Sequence, residues 1–172
     1  MLFRGPGDTL YVMDRDQFRM QVLSPALAPV RTYPFLPSAW SMHVTRDGRI
    51  LLNANSNLGN RIGYPFHELD PVGNVVRSFG SDSATWGPRD ESAYVFAEAR
   101  NRQFWTASQV ERYELKLWGE RDNLLRIVER RADWFRPYHG LWMATPDRPA
   151  PPWLVTFWED SQGRIWTVTR VA

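Results

Sequence analysis

The chain has 172 residues, with 21 basic and 19 acidic side chains, a formal net charge of +2 and no cysteine. The lack of cysteine excludes disulfide bonds, thiolate metal sites and a cysteine nucleophile. No apolar run approaches the roughly 20 residues of a membrane-spanning helix, and residues 1–20 lack a signal-peptide pattern. The length suits one domain with a sizeable core.

One sequence pattern recurs four times along the chain. It reads GDTLYVMD at 7–14, DGRILLNA at 47–54, RNRQFWTA at 100–107 and QGRIWTVT at 162–169. Each copy begins with a polar turn and continues as a short run of β-formers. A recurring unit of roughly 40 to 60 residues made of strands and turns predicts propeller blades, each a four-stranded antiparallel meander.

The first unit, residues 7–35, is predicted to hold strands at 9–14, 17–24 and 30–35. Phe18, Met20 and Val22 alternate with polar residues, which predicts that these three side chains share a buried face. Several prolines confine the later part of this unit to edges or loops.

The next two units are predicted to have four strands each. In the unit at 38–80 the strands are expected at 40–45, 49–54, 66–70 and 74–79. In the unit at 92–134 they are expected at 94–99, 103–108, 113–119 and 124–129. Residues 124–134 also fit an amphipathic helix, but their place after a hairpin favours a strand.

A proline-rich connection at 136–152 leads to a last unit at 153–172, with only two strands, at 154–159 and 164–171. The sequence therefore predicts a single partial propeller domain over 1–172, of about three and a half blades. Open blade edges invite association. We interpret the chain as a piece of a longer propeller, with self-association into a ring as the alternative.

Two stretches carry a family resemblance. GDTLYVMDRDQFRMQVLSP, and DGRILLN followed by HELDPVGNVVRSFG, resemble the six-bladed β-propellers of the NHL and TolB-like kind. RYELKLWGERDNLLRIVERRADWF is similar to the outer half of a blade in bacterial propellers of unassigned role. The resemblance implies an all-β fold and a periplasmic or extracellular location. Members include protein-binding or RNA-binding modules, metal-dependent lactonases and amidating lyases.

The lyase-type sites of that superfamily use histidines that project into the central channel, and this chain has His43, His67 and His139. Only His43 lies on a predicted innermost strand. We therefore expect no metal site and no cofactor, although a divalent metal belongs to the alternative function below.

Glu98 and Glu159 occupy matching places near the ends of predicted innermost strands, and Asp160 follows Glu159. Such carboxylates could hold a metal or act as acid and base. They could equally pair with Arg46 and Arg100 at the channel mouth, which is the interpretation we favour. The candidate ligand-binding residues are His43, Arg46, Glu98, Arg100, Glu159 and Asp160.

The sequence has no G-x-S-x-G elbow, phosphate-binding loop or dinucleotide fingerprint. We therefore predict a ligand-binding, protein-binding or scaffold module that is not an enzyme, with a metal-dependent hydrolase or lyase of the lactonase-like kind as the alternative. Nucleic-acid binding is not expected, because the arginines are interleaved with acids. Trp105 and Trp166 stand on equivalent strands and are predicted to pack between blades.

Overall fold

The computed structural model describes residues 1–35, 39–54, 64–80, 94–109, 112–121, 123–136 and 152–171. These residues form fourteen strands and one short 3₁₀ turn at Pro6–Asp8. None of the described helical structure is long and apolar enough to span a bilayer. The internal contacts divide the chain into two compact units, residues 1–81 and 82–172.

The first unit holds two four-stranded antiparallel meanders, in which neighbouring strands are consecutive along the chain. Sheet 1 consists of β1 (Leu2–Arg4), β2 (Leu10–Asp14), β3 (Arg19–Leu23) and β4 (Pro29–Pro34). Sheet 2 consists of β5 (Ala39–Val44), β6 (Ile50–Ala54), β7 (Phe66–Leu69) and β8 (Val75–Phe79).

The second unit holds one further four-stranded meander and one two-stranded sheet. Sheet 3 consists of β9 (Tyr94–Glu98), β10 (Phe104–Ser108), β11 (Glu114–Trp118) and β12 (Leu124–Glu129). Sheet 4 consists of β13 (Trp153–Glu159) and β14 (Ile165–Arg170). The predicted proline-rich connection lies almost wholly outside the described residues.

The turn between the first and second strands of each sheet lets equivalent positions in the four sheets be identified. It is closed by the same backbone hydrogen bond each time, for example Thr45 N to Arg49 O at 2.9 Å and Asp160 N to Arg164 O at 2.9 Å. The residue after this turn bond begins the second strand of each sheet. We call the face that carries this residue the rear face, and it bears Leu10, Ile50, Phe104 and Ile165. The opposite, forward face bears Tyr11, Leu51, Trp105 and Trp166.

Each unit is built around one contact between a forward face and a rear face. In the first unit, Tyr11 and Met13 of the forward face of sheet 1 share a buried cluster with Ile50 and Leu52 of the rear face of sheet 2. In the second unit, Trp105 and Leu115 of the forward face of sheet 3 share a cluster with Leu154, Phe157 and the partly buried Ile165 of the rear face of sheet 4. The alternation of side chains along a strand supplies both faces at once.

The predicted strands are confirmed, including β12, which is a strand and not a helix. The prediction missed β1, which pairs with β2 and completes sheet 1. The prediction for Phe18 was wrong, since this side chain is 58% exposed. Phe18 lies in the turn between β2 and β3 with φ of 49°, and β3 begins only at Arg19.

Gly73, in the turn between β7 and β8, has φ of +93°, and a Cβ atom there would lie 2.8 Å from Cε2 of Tyr33. Gly7 has φ of +60° with no atom within 4 Å of that position. We expect Gly7→Ala to lower the free energy of unfolding by about 1 kcal/mol through backbone strain alone. Gly73→Ala should cost about 1–3 kcal/mol more, because the buried Tyr33 ring must move. Urea unfolding of both variants checks this, and equal losses would contradict it.

Candidate functional site

The predicted site residues fall into two groups, one in each unit. His43 lies on β5, and Arg46 lies in the turn that follows it. Glu98 ends β9, Glu159 ends β13, and Arg100 and Asp160 lie in the turns after those strands. In the second group, the structure brings Arg100 beside Glu159 and the turn that follows it.

The side chain of Glu159 links sheet 4 to sheet 3. One carboxylate oxygen, Oε2, accepts a hydrogen bond from Nε1 of Trp105 at 2.7 Å, and the other, Oε1, lies 3.8 Å from Nε of Arg100. Arg100 also donates through Nη2 to the carbonyl oxygen of Ser161 in the neighbouring turn. The Glu159 side chain is only 13% exposed, so these contacts hold most of the carboxylate. Glu159 therefore joins two sheets.

Glu98 and Glu159 occupy equivalent positions, as the sequence predicted. Glu98 lies opposite Phe104 on β10, and Glu159 lies opposite Ile165 on β14. Phe104 and Ile165 are themselves equivalent residues of the rear face. Glu98 is half-buried.

The carboxylate of Asp160 holds its own turn together. Oδ1 accepts backbone hydrogen bonds from Gln162 at 2.9 Å and Arg164 at 3.0 Å. Oδ2 accepts from Nε of Arg164 at 2.7 Å and from Nε1 of Trp166 at 3.0 Å. The Trp166 and Arg164 side-chain hydrogen bonds lower the pKa of Asp160 well below its ordinary value. This half-buried carboxylate is therefore fully charged at neutral pH and acts as a turn cap.

His43 lies opposite Leu51 on the forward face of sheet 2 and is half-buried. Within the described part of the chain, its Nε2 atom is buried and has no hydrogen-bond partner. Burial lowers the pKa of His43 from 6.5 to about 4. The imidazole is therefore neutral at pH 7. Arg46, three residues on, is exposed.

His67 does not join His43. His67 is fully buried on the rear-face side of sheet 2, where its Nδ1 lies 2.8 Å from Oγ of Ser78. His139 lies outside the described residues. Among the residues that the structure describes, no group of three His, Asp or Glu side chains could hold a metal ion.

Sequence reasoning missed two side-chain networks. In sheet 2, the buried Glu68 carboxylate accepts from Nε of Arg77 at 2.6 Å and lies 3.4 Å from Nη1 of Arg49. In this ion-pair network, Glu68 lies on β7, Arg77 lies on β8, and Arg49 directly precedes β6. Cross-strand register brings its members together, and no local motif marks them.

The second network is an exposed aromatic stack on sheet 4. The Trp158 and Trp166 rings lie 6.2 Å apart at 12°, and the Arg164 guanidinium lies 5.6 Å from the Trp166 ring centre. The prediction that Trp166 packs between blades was wrong in this chain, because Trp166 is 48% exposed whereas Trp105 is 3% exposed. The forward face of sheet 3 packs on sheet 4, whereas no described sheet packs on the forward face of sheet 4.

Comparison with known proteins shows the fold. No family model and no curated protein matches the chain. Among solved structures, it is similar to virginiamycin B lyase from Staphylococcus aureus, with TM-score 0.55 and 12% identity over 97% of this chain and 47% of that one. It is also similar to a streptogramin B lyase, with TM-score 0.52 and 12% identity over 96% and 60%. Raptor from Chaetomium thermophilum gives TM-score 0.51 and 11% identity over 95% and 14%.

The chain is thus an all-β protein, a partial β-propeller built from four-stranded antiparallel meander blades. It spans about half the length of the two lyases that it resembles. Since the identities are 12%, these similarities describe the fold and not the activity.

The link between Trp105 and Glu159 gives a first prediction about the site. Trp105→Phe removes a hydrogen bond to a carboxylate, which is worth about 2 kcal/mol. Trp118→Phe is the matched control, because Nε1 of the buried Trp118 donates to the Thr106 hydroxyl at 2.9 Å. We expect Trp105→Phe to lower the free energy of unfolding by about 1 kcal/mol more than Trp118→Phe does. Chemical denaturation measures both values, and a larger loss for Trp118→Phe would refute the interpretation.

The lowered pKa of His43 gives a second prediction. Between pH 6.5 and about 4, the unfolded chain binds a proton at His43 that the folded chain does not. The stabilising contribution is therefore present above pH 6.5 and is lost as the pH falls. We expect the wild type to lose about 2 kcal/mol more than His43→Gln when the pH drops from about 7 to about 4. Urea unfolding at several pH values tests this, and parallel curves for the two proteins would show that His43 titrates normally.

Proposed function

We propose that the chain is a ligand-binding, protein-binding or scaffold module of the propeller type, without catalytic activity of its own. One observation carries this proposal. Two of the three carboxylates predicted for a catalytic or metal site in the second unit are already engaged, Glu159 by Trp105 and Arg100, and Asp160 by its own turn. A carboxylate oxygen that accepts hydrogen bonds from an indole N–H or from the backbone amides of a turn stabilises the fold. Such an oxygen is not presented to a substrate or a metal.

The proposed contacts to a ligand lie where the innermost strands end. Arg46 and Arg100 are largely exposed there, with the Arg100 side chain 56% exposed. Glu98 and His43 are half-buried on the strands that lead to these turns. An arginine offers a planar fork of donors to an anionic or carbonyl group, so these residues suit recognition more than bond cleavage. The six-bladed NHL or TolB-like type remains part of this proposal.

A second candidate function is a metal-dependent hydrolase or lyase. Two observations favour it: two of the similar structures are named lyases, and Nε2 of His43 is buried without a hydrogen-bond partner in the described part of the chain. In that case His43 in the first unit, or the carboxylates Glu98 and Glu159 in the second unit, would be the candidate ligands of a divalent ion. Such an ion would polarise a substrate carbonyl or lower the pKa of a bound water.

Metal binding separates the two functions. We expect isothermal titration of the whole chain with Zn²⁺, Ca²⁺ or Mg²⁺ alone to show no stoichiometric binding site. The titration curves of the His43→Gln, Glu98→Gln and Glu159→Gln variants should be the same as that of the wild type. Glu120→Gln is the matched control, because Glu120 is an exposed acid paired with Arg102 at 3.0 Å.

One result of the same titration would overturn the proposal of a non-catalytic module. It is one equivalent of tightly bound metal that is lost in His43→Gln or in either of the Glu98 and Glu159 variants, but kept in Glu120→Gln. That result would establish the metal-dependent function in its place.

A further inference from the structure

Arg31 is a half-buried cation without an acidic partner among the residues that the structure describes. It lies on β4, opposite Val22 of β3, on the forward face of sheet 1. The other half-buried arginines described in the first unit each contact a carboxylate: Arg19 contacts Asp14 at 3.1 Å, Arg49 contacts Asp47 at 2.9 Å, and Arg77 contacts Glu68 at 2.6 Å. The guanidinium of Arg31 therefore carries a positive charge that no described side chain balances.

Two tyrosines of the same face contact this guanidinium. Nη2 of Arg31 donates a hydrogen bond to the hydroxyl of Tyr11 at 3.4 Å, and the central carbon Cζ of Arg31 lies 5.6 Å from the ring centre of Tyr33. Both tyrosines are buried in the contact with sheet 2. A hydroxyl and an aromatic face together fix the orientation of the guanidinium.

Two hydrogen-bond donors of this group are buried and have no partner in the described part of the chain. They are Nε of Arg31 and the hydroxyl of Tyr33. Burial raises the pKa of Tyr33 to about 12, so the hydroxyl keeps its proton at neutral pH and can donate a hydrogen bond. A buried donor without an acceptor costs free energy, and two donors beside a positive charge favour an anion as their acceptor.

Asp70 is the acid whose charge acts on Tyr33, but its oxygens are used in its own turn. Oδ1 accepts backbone hydrogen bonds from Val72 and Asn74, both at 2.9 Å, and Oδ2 accepts from the side-chain amide of Asn74 at 2.8 Å. Asp70 therefore leaves the two donors unsatisfied. Its negative charge also favours a ligand with a single charge, because a dianion would add repulsion that one cation does not offset.

The group lies at the rim of the contact between sheets 1 and 2. β4 is the edge strand of sheet 1, and the turn that carries Gly73 leads into β8, the edge strand of sheet 2. That turn touches the ring of Tyr33, since a Cβ atom on Gly73 would lie 2.8 Å from Cε2 of the ring. Arg31 is only half-buried at this rim, so part of its side chain is in contact with solvent. A small anion can therefore approach along that side chain.

We propose that Arg31, Tyr33 and Tyr11 form a binding site for a single carboxylate group. One carboxylate oxygen accepts from Nε of Arg31 and the other accepts from the hydroxyl of Tyr33, while Tyr11 holds the guanidinium in place. The ligand is a small free carboxylate or an acidic side chain of a peptide, since both present the same group. The site uses none of the candidate residues of the proposed function and does not rest on it.

Tyr33→Phe is the most informative variant, because it keeps the ring that contacts Arg31 and removes only the hydroxyl. In sodium chloride at neutral pH, we expect Tyr33→Phe to be at least as stable as the wild type, since the hydroxyl has no partner to lose. Sodium acetate at the same ionic strength should raise the melting temperature of the wild type by roughly 3 °C at about ten times its Kd. Tyr33→Phe and Arg31→Gln should lose most of this rise.

Arg19→Gln is the matched control, because Arg19 is half-buried on the same sheet but contacts Asp14. This variant should keep the full rise in acetate. NMR gives a direct readout, since the Nε–H signal of Arg31 should shift with acetate in a saturable way and should shift less in Tyr33→Phe. An equal rise in all variants, or a clear loss of stability of Tyr33→Phe in chloride, would overturn the site.

Two further probes identify the ligand. Inorganic phosphate at the same ionic strength should shift the Arg31 signal less than acetate does, and stronger binding of phosphate would contradict a site for a singly charged carboxylate. A capped tripeptide with a central glutamate carries the same group on a peptide. Tighter binding of this peptide than of acetate would assign the site to an acidic peptide, and tighter binding of acetate would assign it to a free carboxylate.

Discussion

The fold depends on packing the forward face of one meander against the rear face of another. Ile50 and Leu51 are neighbours in sequence, point to opposite faces of sheet 2, and are both 0% exposed. A twisted sheet cannot shield its own apolar side chains, so the forward faces of sheets 1 and 3 are buried only because sheets 2 and 4 pack on them. The three four-stranded sheets are meanders, and the second strand of all four sheets begins one residue after the same turn hydrogen bond.

The same constraint determines what the polar residues do. Polar side chains join sheet 3 to sheet 4. Nε1 of Trp105 on sheet 3 binds Glu159 on sheet 4, and the Tyr113 hydroxyl on sheet 3 lies 2.6 Å from Oγ1 of Thr167 on sheet 4. A carboxylate that looks catalytic in the sequence is therefore a structural link in the fold. His43 differs, because its buried Nε2 has no such link among the described residues.

Much of the fold could be predicted from the sequence, because a polar turn followed by β-formers is a local signal. That signal located the second strand of each sheet and the equivalence of Glu98 and Glu159. It failed where the outcome depends on distant neighbours. β1 has three residues and is stabilised as a strand by pairing with β2. The exposure of Trp166 depends on whether a further sheet covers it, and the partner of Glu159 lies 54 positions away in sequence. Neither fact is visible in a local pattern.

The most direct test of the packing of one sheet on another is a double-mutant cycle across sheets 3 and 4. Tyr113→Phe, Thr167→Val and the combined variant would be compared with the wild type by urea unfolding. Because the two hydroxyls share a hydrogen bond in a partly buried setting, the predicted coupling energy is about 1 kcal/mol. Effects that add to within about 0.3 kcal/mol would contradict the face-to-face contact from which the rest follows.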